Sequence, residues 1–202
     1  MAVDVLSGAA QISSALGELT REVARSVVLV RGSRGSSGSG VIWDQPGLVI
    51  TNHHVVPGTT AQLTLSTGQR VGARVVRRAP ALDLAALIVE TDLTSLEARI
   101  GHSDGLRVGD LVIAVGNPMG ERNAPSLGIL ASRPDDVLRL AITLRPGNSG
   151  GALVNAAGEV VGIPHMVTGT GLALAVSTRT VRAFLAGSDG ETEADGSNLR
   201  WI

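Results

Sequence analysis

Three short apolar frames in this chain each carry a residue suited to acyl transfer. Leu48-Val49-Ile50-Thr51-Asn52-His53-His54-Val55-Val56 holds a histidine pair, and Leu82-Asp83-Leu84-Ala85 an aspartate. Arg145-Pro146-Gly147-Asn148-Ser149-Gly150-Gly151 holds a serine. A serine hydroxyl is a weak nucleophile unless a base sits beside it and a third group orients that base. Imidazole titrates near neutrality, so it can take the hydroxyl proton and later deliver it to a leaving amine. A carboxylate on the other ring nitrogen fixes the tautomer and stabilises the imidazolium. Glycines around the serine suit backbone N–H groups of Gly147 and Ser149 converging on one developing negative charge. Alone, Pro-Gly-Asn-Ser-Gly-Gly would be an ordinary turn. The three frames together point to covalent hydrolysis.

These residues need a scaffold that brings distant frames together. Strand-like runs fall at Val27–Val30, Val41–Ile42, Leu48–Thr51, Ala61–Leu65, Arg70–Val76 and Leu84–Val89. Others fall at Leu111–Val115, Leu127–Ala131, Leu138–Thr143, Ala152–Val154, Val160–Ile163 and Leu172–Val176. Many short strands with Gly-rich turns predict an all-β barrel architecture. Ile12, Leu16, Leu19 and Val23 recur at helical spacing, which predicts an amphipathic helix over Ile12–Ala24 packed on a barrel. A second short helix is expected at Thr180–Leu185. The low-complexity run Gly32–Gly40 reads as a flexible hairpin loop. Residues 187–202 read as an acidic flexible tail ending in the apolar Leu199-Arg200-Trp201-Ile202, either an untethered end or a docking peptide.

Composition narrows the function classes. At 202 residues the chain fits one compact unit or two small barrels sharing a cleft. Aromatics make up only 1%, so the core must be mostly Val, Leu, Ile and Ala. A net charge of −1 implies no general nucleic-acid partner, although all 17 basic residues are arginine. With no cysteine there is no disulfide and no thiol chemistry. The N-terminus has no basic-then-apolar signal pattern, and no run is long enough to span a membrane, so a cytoplasmic location is the default expectation. His102, Asp104 and Asp110 read as turn residues, and Asp135-Asp136 as a solvated loop. No metal-ligand or cofactor motif stands out, Gly169-Thr170-Gly171 being too short for a nucleotide loop.

Six motifs resemble the protease domain of the high-temperature-requirement (HtrA/Deg) family. They are Gly38-Ser39-Gly40-Val41-Ile42, Thr51-Asn52-His53-His54-Val55, Asp83-Leu84-Ala85, Leu106-Arg107-Val108-Gly109-Asp110, Val115-Gly116-Asn117-Pro118 and Pro146–Gly151, in the family's order. The resemblance implies two six-stranded antiparallel β-barrels of the trypsin type, with the active site in the cleft and short helices at the two ends. It implies an N-terminal helical segment (1–26), barrels at about 27–100 and 101–186, then the tail. It selects His54 over His53 as the base, with Asp83 orienting it and Ser149 attacking. It places the oxyanion hole within Gly147-Asn148-Ser149.

By the same resemblance the specificity pocket draws on Thr143, Leu144, His165, Ala173, Leu174 and Ala175. No carboxylate lies between Ala141 and Ser149, so cleavage after Arg or Lys is not expected; small aliphatic residues are. His165 keeps a second option open, since glutamyl endopeptidases place a histidine on this strand, one position earlier. The expected partners are a protein or peptide substrate and an activating protein that orders a misaligned Arg145–Asn148 loop. A non-catalytic binding module on the same fold is the competing class. The resemblance reaches the protease domain only. The family's PDZ domain, its N-terminal aromatics and its longer loop before the serine have no counterpart here.

Overall fold

The computed structural model describes residues 2–134, 137–168, 171–187 and 199–201. Two closed antiparallel barrels account for most of them. In the first, β1 (Val27–Arg31), β2 (Ser37–Ile42), β3 (Leu48–Thr51), β4 (Thr60–Thr64), β5 (Arg70–Ala79) and β6 (Leu84–Ile88) run in the order β1-β2-β3-β6-β5-β4. In the second, β7 (Leu111–Gly116), β8 (Ala124–Ser132), β9 (Val137–Ala141), β10 (Ala152–Val154), β11 (Val160–Thr168) and β12 (Ala173–Ser177) run β10-β7-β8-β9-β12-β11, and β10–β11 pairing closes the ring.

Three apolar clusters explain the strand patterns. Val28, Val30, Ile42, Val49, Leu63, Ala85 and Leu87 fill the first barrel. Val112, Ala114, Leu130, Leu138, Leu140, Leu153 and Val161 fill the second. A third cluster, including Val27, Val41, Ile50, Val115, Val160 and Ile163, forms the seam between them. Strands at the seam are covered on both faces, which is why Val27–Val30 and Leu48–Thr51 are buried at every position. Alternation survives only where one face meets water, as in β9 (Val137 and Arg139 out, Leu138 and Leu140 in).

The helices close the seam. Leu16, Leu19 and Val23 of α1 (Ala2–Ala24) pack there as the spacing predicted. The helix starts ten residues earlier than expected, however, and Ile12 is 64% exposed. α2 (Thr178–Ala186) begins on a Ser177 side-chain cap to the Thr180 N–H and ends on a left-handed Gly187. It buries Val181 and Phe184 in the seam.

Two expectations change. The Gly/Ser run is only partly loop, because Ser37–Gly40 are strand β2, paired with β1. Most of the expected tail, 188–198, lies outside the described residues, as do Asp135-Asp136 and Gly169-Thr170. Leu199–Trp201 is not an untethered end. It forms β13, antiparallel to Met166–Thr168 of β11.

Candidate active site

The Thr51–His54 segment is built around the backbone of Asp83. The Asp83 carbonyl accepts from Asn52 Nδ2 at 2.8 Å and from the His53 N–H at 3.1 Å. Its carboxylate takes the next two donors in line: Oδ1 accepts the His54 N–H at 3.0 Å, and Oδ2 lies 2.7 Å from His54 Nδ1. Asp83 can do this because it sits in the left-handed region (φ 51°, ψ 41°), capping the turn Pro80–Leu82. Aspartate tolerates that conformation better than most residues. Its side chain is 3% exposed, and that of His54 is 25% exposed. Burial pushes the Asp83 carboxyl up, but the imidazoles of His165 and His54 draw it down further, so it rests below the usual carboxylate range. It is therefore charged at neutral pH and can hold the Nδ1 proton of His54.

His53 is committed elsewhere. Arg78 Nη1 lies 3.1 Å from its Nδ1, and the same guanidinium donates to the carbonyls of Val56 and Gly58. Arginine has no lone pair to offer, so His53 Nδ1 must be the acceptor. Burial, then the Arg78 charge, holds the His53 pKa below its ordinary value.

Ser149 is fully buried against the first barrel. Its carbonyl accepts the Ser39 N–H at 2.8 Å. Gly150 follows at φ 82°, where a Cβ would stand 2.2 Å from the Ser39 carbonyl oxygen and 2.4 Å from Thr51 Oγ1. Only glycine lets the serine come this close to the strand that leads to His54. On the other side the Gly150 N–H donates to the Pro164 carbonyl at 3.0 Å, which ties the serine to β11.

Residues Arg145–Asn148 form a closed turn. The Asn148 N–H donates to the Arg145 carbonyl at 3.0 Å, with proline at the second position and Gly147 at φ 101° at the third. That is type II turn chemistry. The Pro146 carbonyl accepts from the Met119 N–H at 2.9 Å, so the Gly147 N–H of the same peptide plane points the opposite way. In this structure the Arg145–Asn148 loop, expected to be misaligned without a partner, is an ordered turn whose backbone carbonyls have partners. The Asn148 N–H donates within the turn.

With this geometry in view, residues 38–163 match the trypsin-like peptidase domain family. The chain belongs to that family. Within it the chain is of the HtrA type. Its relatives include a serine protease Do-like HtrA of Lactobacillus helveticus, 37% identical over 65% of this chain and 36% of that protein. Another is the human serine protease HTRA4, 33% identical over 85% of this chain and 41% of that protein. Among solved structures, an HtrA-type protease AlgW with tripeptide superposes with a TM-score of 0.77. It is 28% identical and covers 86% of this chain and 64% of that one. The chain spans about two fifths of the length of the curated relatives it matches.

The residue that sequence reasoning missed is Ser39 of the family's Gly-Ser-Gly motif. It is fully buried. Its Oγ donates to the Gly147 carbonyl at 2.7 Å and accepts from Asn117, from the N–H at 2.8 Å and from Nδ2 at 3.1 Å. Its carbonyl accepts Thr51 Oγ1 at 2.6 Å. One serine thus joins the histidine strand, Ser149 and the Arg145–Asn148 turn. Ser39→Ala leaves the Gly147 carbonyl and the Asn117 N–H without partners, at about 1–3 kcal/mol for each buried group. If the turn receives the oxyanion, kcat should fall roughly 10- to 100-fold, with KM changed less than about twofold. Steady-state kinetics beside a thermal melt checks this; an unchanged kcat would refute it.

The expected pocket residues differ in burial. Leu144, Ala173 and Ala175 pack in the interior cluster of the second barrel. Leu174 alternates to the other face and is half-buried, while Thr143 is exposed. His165 turns away to Asp83, with Nδ1 at 3.7 Å from Oδ2. Among the described residues no group of three or more His, Asp or Glu is arranged to hold a metal ion, and no helix is long and apolar enough to cross a membrane.

Proposed function

We propose that this chain is a serine endopeptidase that works through an acyl-enzyme. The observation that carries the proposal is the 2.7 Å pairing of His54 Nδ1 with a buried, charged Asp83, at the seam where Ser149 is held. With its Nδ1–H donated to the Asp83 carboxylate, His54 presents Nε2 as a base. It takes the proton of Ser149 Oγ as that oxygen attacks the peptide carbonyl. The N–H groups of Gly147 and Ser149 receive the oxyanion. Imidazolium then protonates the leaving amine, and water repeats the cycle on the ester. A fluorophosphonate probe tests the proposal. One adduct per chain on Ser149 is expected, absent in Ser149→Ala. No adduct on the folded chain would favour a non-catalytic module that keeps the fold.

Substrates are proposed to be proteins or peptides, cleaved after small or medium aliphatic residues. In support, no acid accompanies Thr143, and His165 Nδ1 lies 3.7 Å from Asp83 Oδ2. One methylene discriminates by only about 1–3 kcal/mol, so the preference should be broad across Val, Ala and Leu. Cleavage-site profiling on a peptide library decides this, and dominant cleavage after Glu would overturn it. An activating protein partner that orders the Arg145–Asn148 loop belongs to the same proposal. Ser149 should then label more slowly in the purified chain than in lysate of its host, and fast, stoichiometric labelling of the pure chain would overturn it.

A further inference from the structure

We propose that this chain closes its own peptide-binding lane: strand β13 (Leu199–Trp201) occupies the edge of β11 along which a substrate would extend toward Ser149. The inference rests on the endopeptidase reading above and adds an autoinhibitory contact to the same site.

The sheet dictates where that lane lies. β12 pairs with β11 from Gly162 to Val167 and so takes one edge, with a one-residue slip between Pro164 and Met166. The other edge is shared. β10 covers its start, with Val154 opposite Val160 and Leu153 opposite Gly162. Gly150, just ahead of β10 in the chain, donates its N–H to the Pro164 carbonyl at 3.0 Å. β13 covers the end, with Trp201 opposite Met166, Arg200 opposite Val167 and Leu199 opposite Thr168. β10 and β13 both run antiparallel to β11, so they lie in one file and point the same way. From Leu199 to Trp201 the backbone therefore advances toward Pro164 and the turn that holds Ser149. Met166 and Pro164 are about 7 Å apart along a strand.

An open strand edge is a template for an extended peptide, which gains main-chain hydrogen bonds there whatever its side chains. A peptide laid on Met166–Thr168 in the direction of β13 delivers its next residues to Ser149, where acyl transfer needs a carbonyl. β13 and such a peptide require the same backbone groups of β11, so they exclude each other. A three-residue ladder is a weak hold by itself. The chain strengthens it, because residues 188–198 join β13 to the Gly187 cap of α2. A short tether makes the pairing intramolecular, at an effective concentration on the order of millimolar. Such self-pairing competes with substrate: it raises the apparent KM for a peptide and leaves the acyl-transfer step itself unaltered.

The test compares the full chain with a chain lacking residues 199–202 and with the double variant Arg200→Pro/Trp201→Pro. Adjacent residues of an antiparallel strand alternate between bonding the partner and facing away, so the proline pair removes a ladder donor whichever residue carries it. With a tripeptide p-nitroanilide carrying valine at the cleavage position, KM should fall about 3- to 10-fold in both variants, with kcat within about twofold. The synthetic peptide Leu-Arg-Trp-Ile should inhibit the shortened chain competitively at roughly millimolar concentration. A thermal melt shows whether each variant folds, and the proline pair stands in if the shortened chain does not. The same comparison in a Ser149→Ala background needs no turnover: the Kd of a valine-ended tripeptide should tighten by the same factor. KM and Kd unchanged in both variants overturn the proposal. So does release of residues 199–202 by the wild-type chain but not by Ser149→Ala, which would make the segment a substrate. Failure of the endopeptidase reading shows separately, as no fluorophosphonate adduct on any chain that keeps Ser149.

Discussion

Ser149→Ala will lower turnover by about 10⁶, leaving only what binding and the oxyanion turn supply. His54→Ala will cost nearly as much, and the double variant little more, because nucleophile and base act as one device. His53→Ala is the internal control. Its ring nitrogen already accepts from Arg78, so it has no part in moving the Ser149 proton. It should stay within a few-fold of the wild-type kcat. Peptide hydrolysis rates and fluorophosphonate labelling of the four proteins settle the matter. Activity surviving in His54→Ala but lost in His53→Ala would reverse the assignment of the base.

Asp83→Asn should lower kcat by about 10⁴ while leaving the fold intact. Asparagine is at home in the left-handed conformation that position 83 requires (φ 51°). Its amide oxygen can still accept the His54 N–H. Its amide nitrogen, however, is a donor facing His54 Nδ1, which must then become an acceptor. The ring proton moves to Nε2, where it blocks uptake of the Ser149 proton. Asp83→Ala mixes this loss with backbone strain of about 1–2 kcal/mol, so asparagine is the cleaner variant. Kinetics paired with a thermal melt gives the readout. A kcat within tenfold of wild type would mean that the carboxylate does not orient the base.

Chemistry was legible in the chain where few residue types could serve. A base, a carboxylate and a nucleophile in apolar frames restrict the choices, and the structure brings Thr51–His54, Asp83 and Ser149 to one seam. Strand positions were legible to within a few residues because the barrels are filled by runs of Val, Leu and Ile. Ser39 was illegible for the opposite reason: among Ser and Gly it looks like loop, and its burial depends on β1, Asn117 and Gly147, from three distant parts of the chain. The direction of His165 was hidden by a single-residue slip, and such a slip turns a side chain to the other face of a strand. The pairing of Leu199–Trp201 with β11 crosses about thirty residues and has no local signature. Alanines at 173 and 175, expected in the pocket, pack in the interior cluster of the second barrel, a placement their size alone does not signal.

Ser39 also gives the molecule a clock. The turn that would receive the oxyanion belongs to the second barrel, yet its Gly147 carbonyl is held by a hydroxyl of the first. The second barrel closes the turn through Asn148 and Met119, but the hold on the Gly147 carbonyl forms only once the first barrel has docked, so the turn gains its last partner with the docking. A newly made chain with one barrel formed is vulnerable to proteolysis and harmless at the same moment. Siblings emerging together would not digest one another before their barrels have docked.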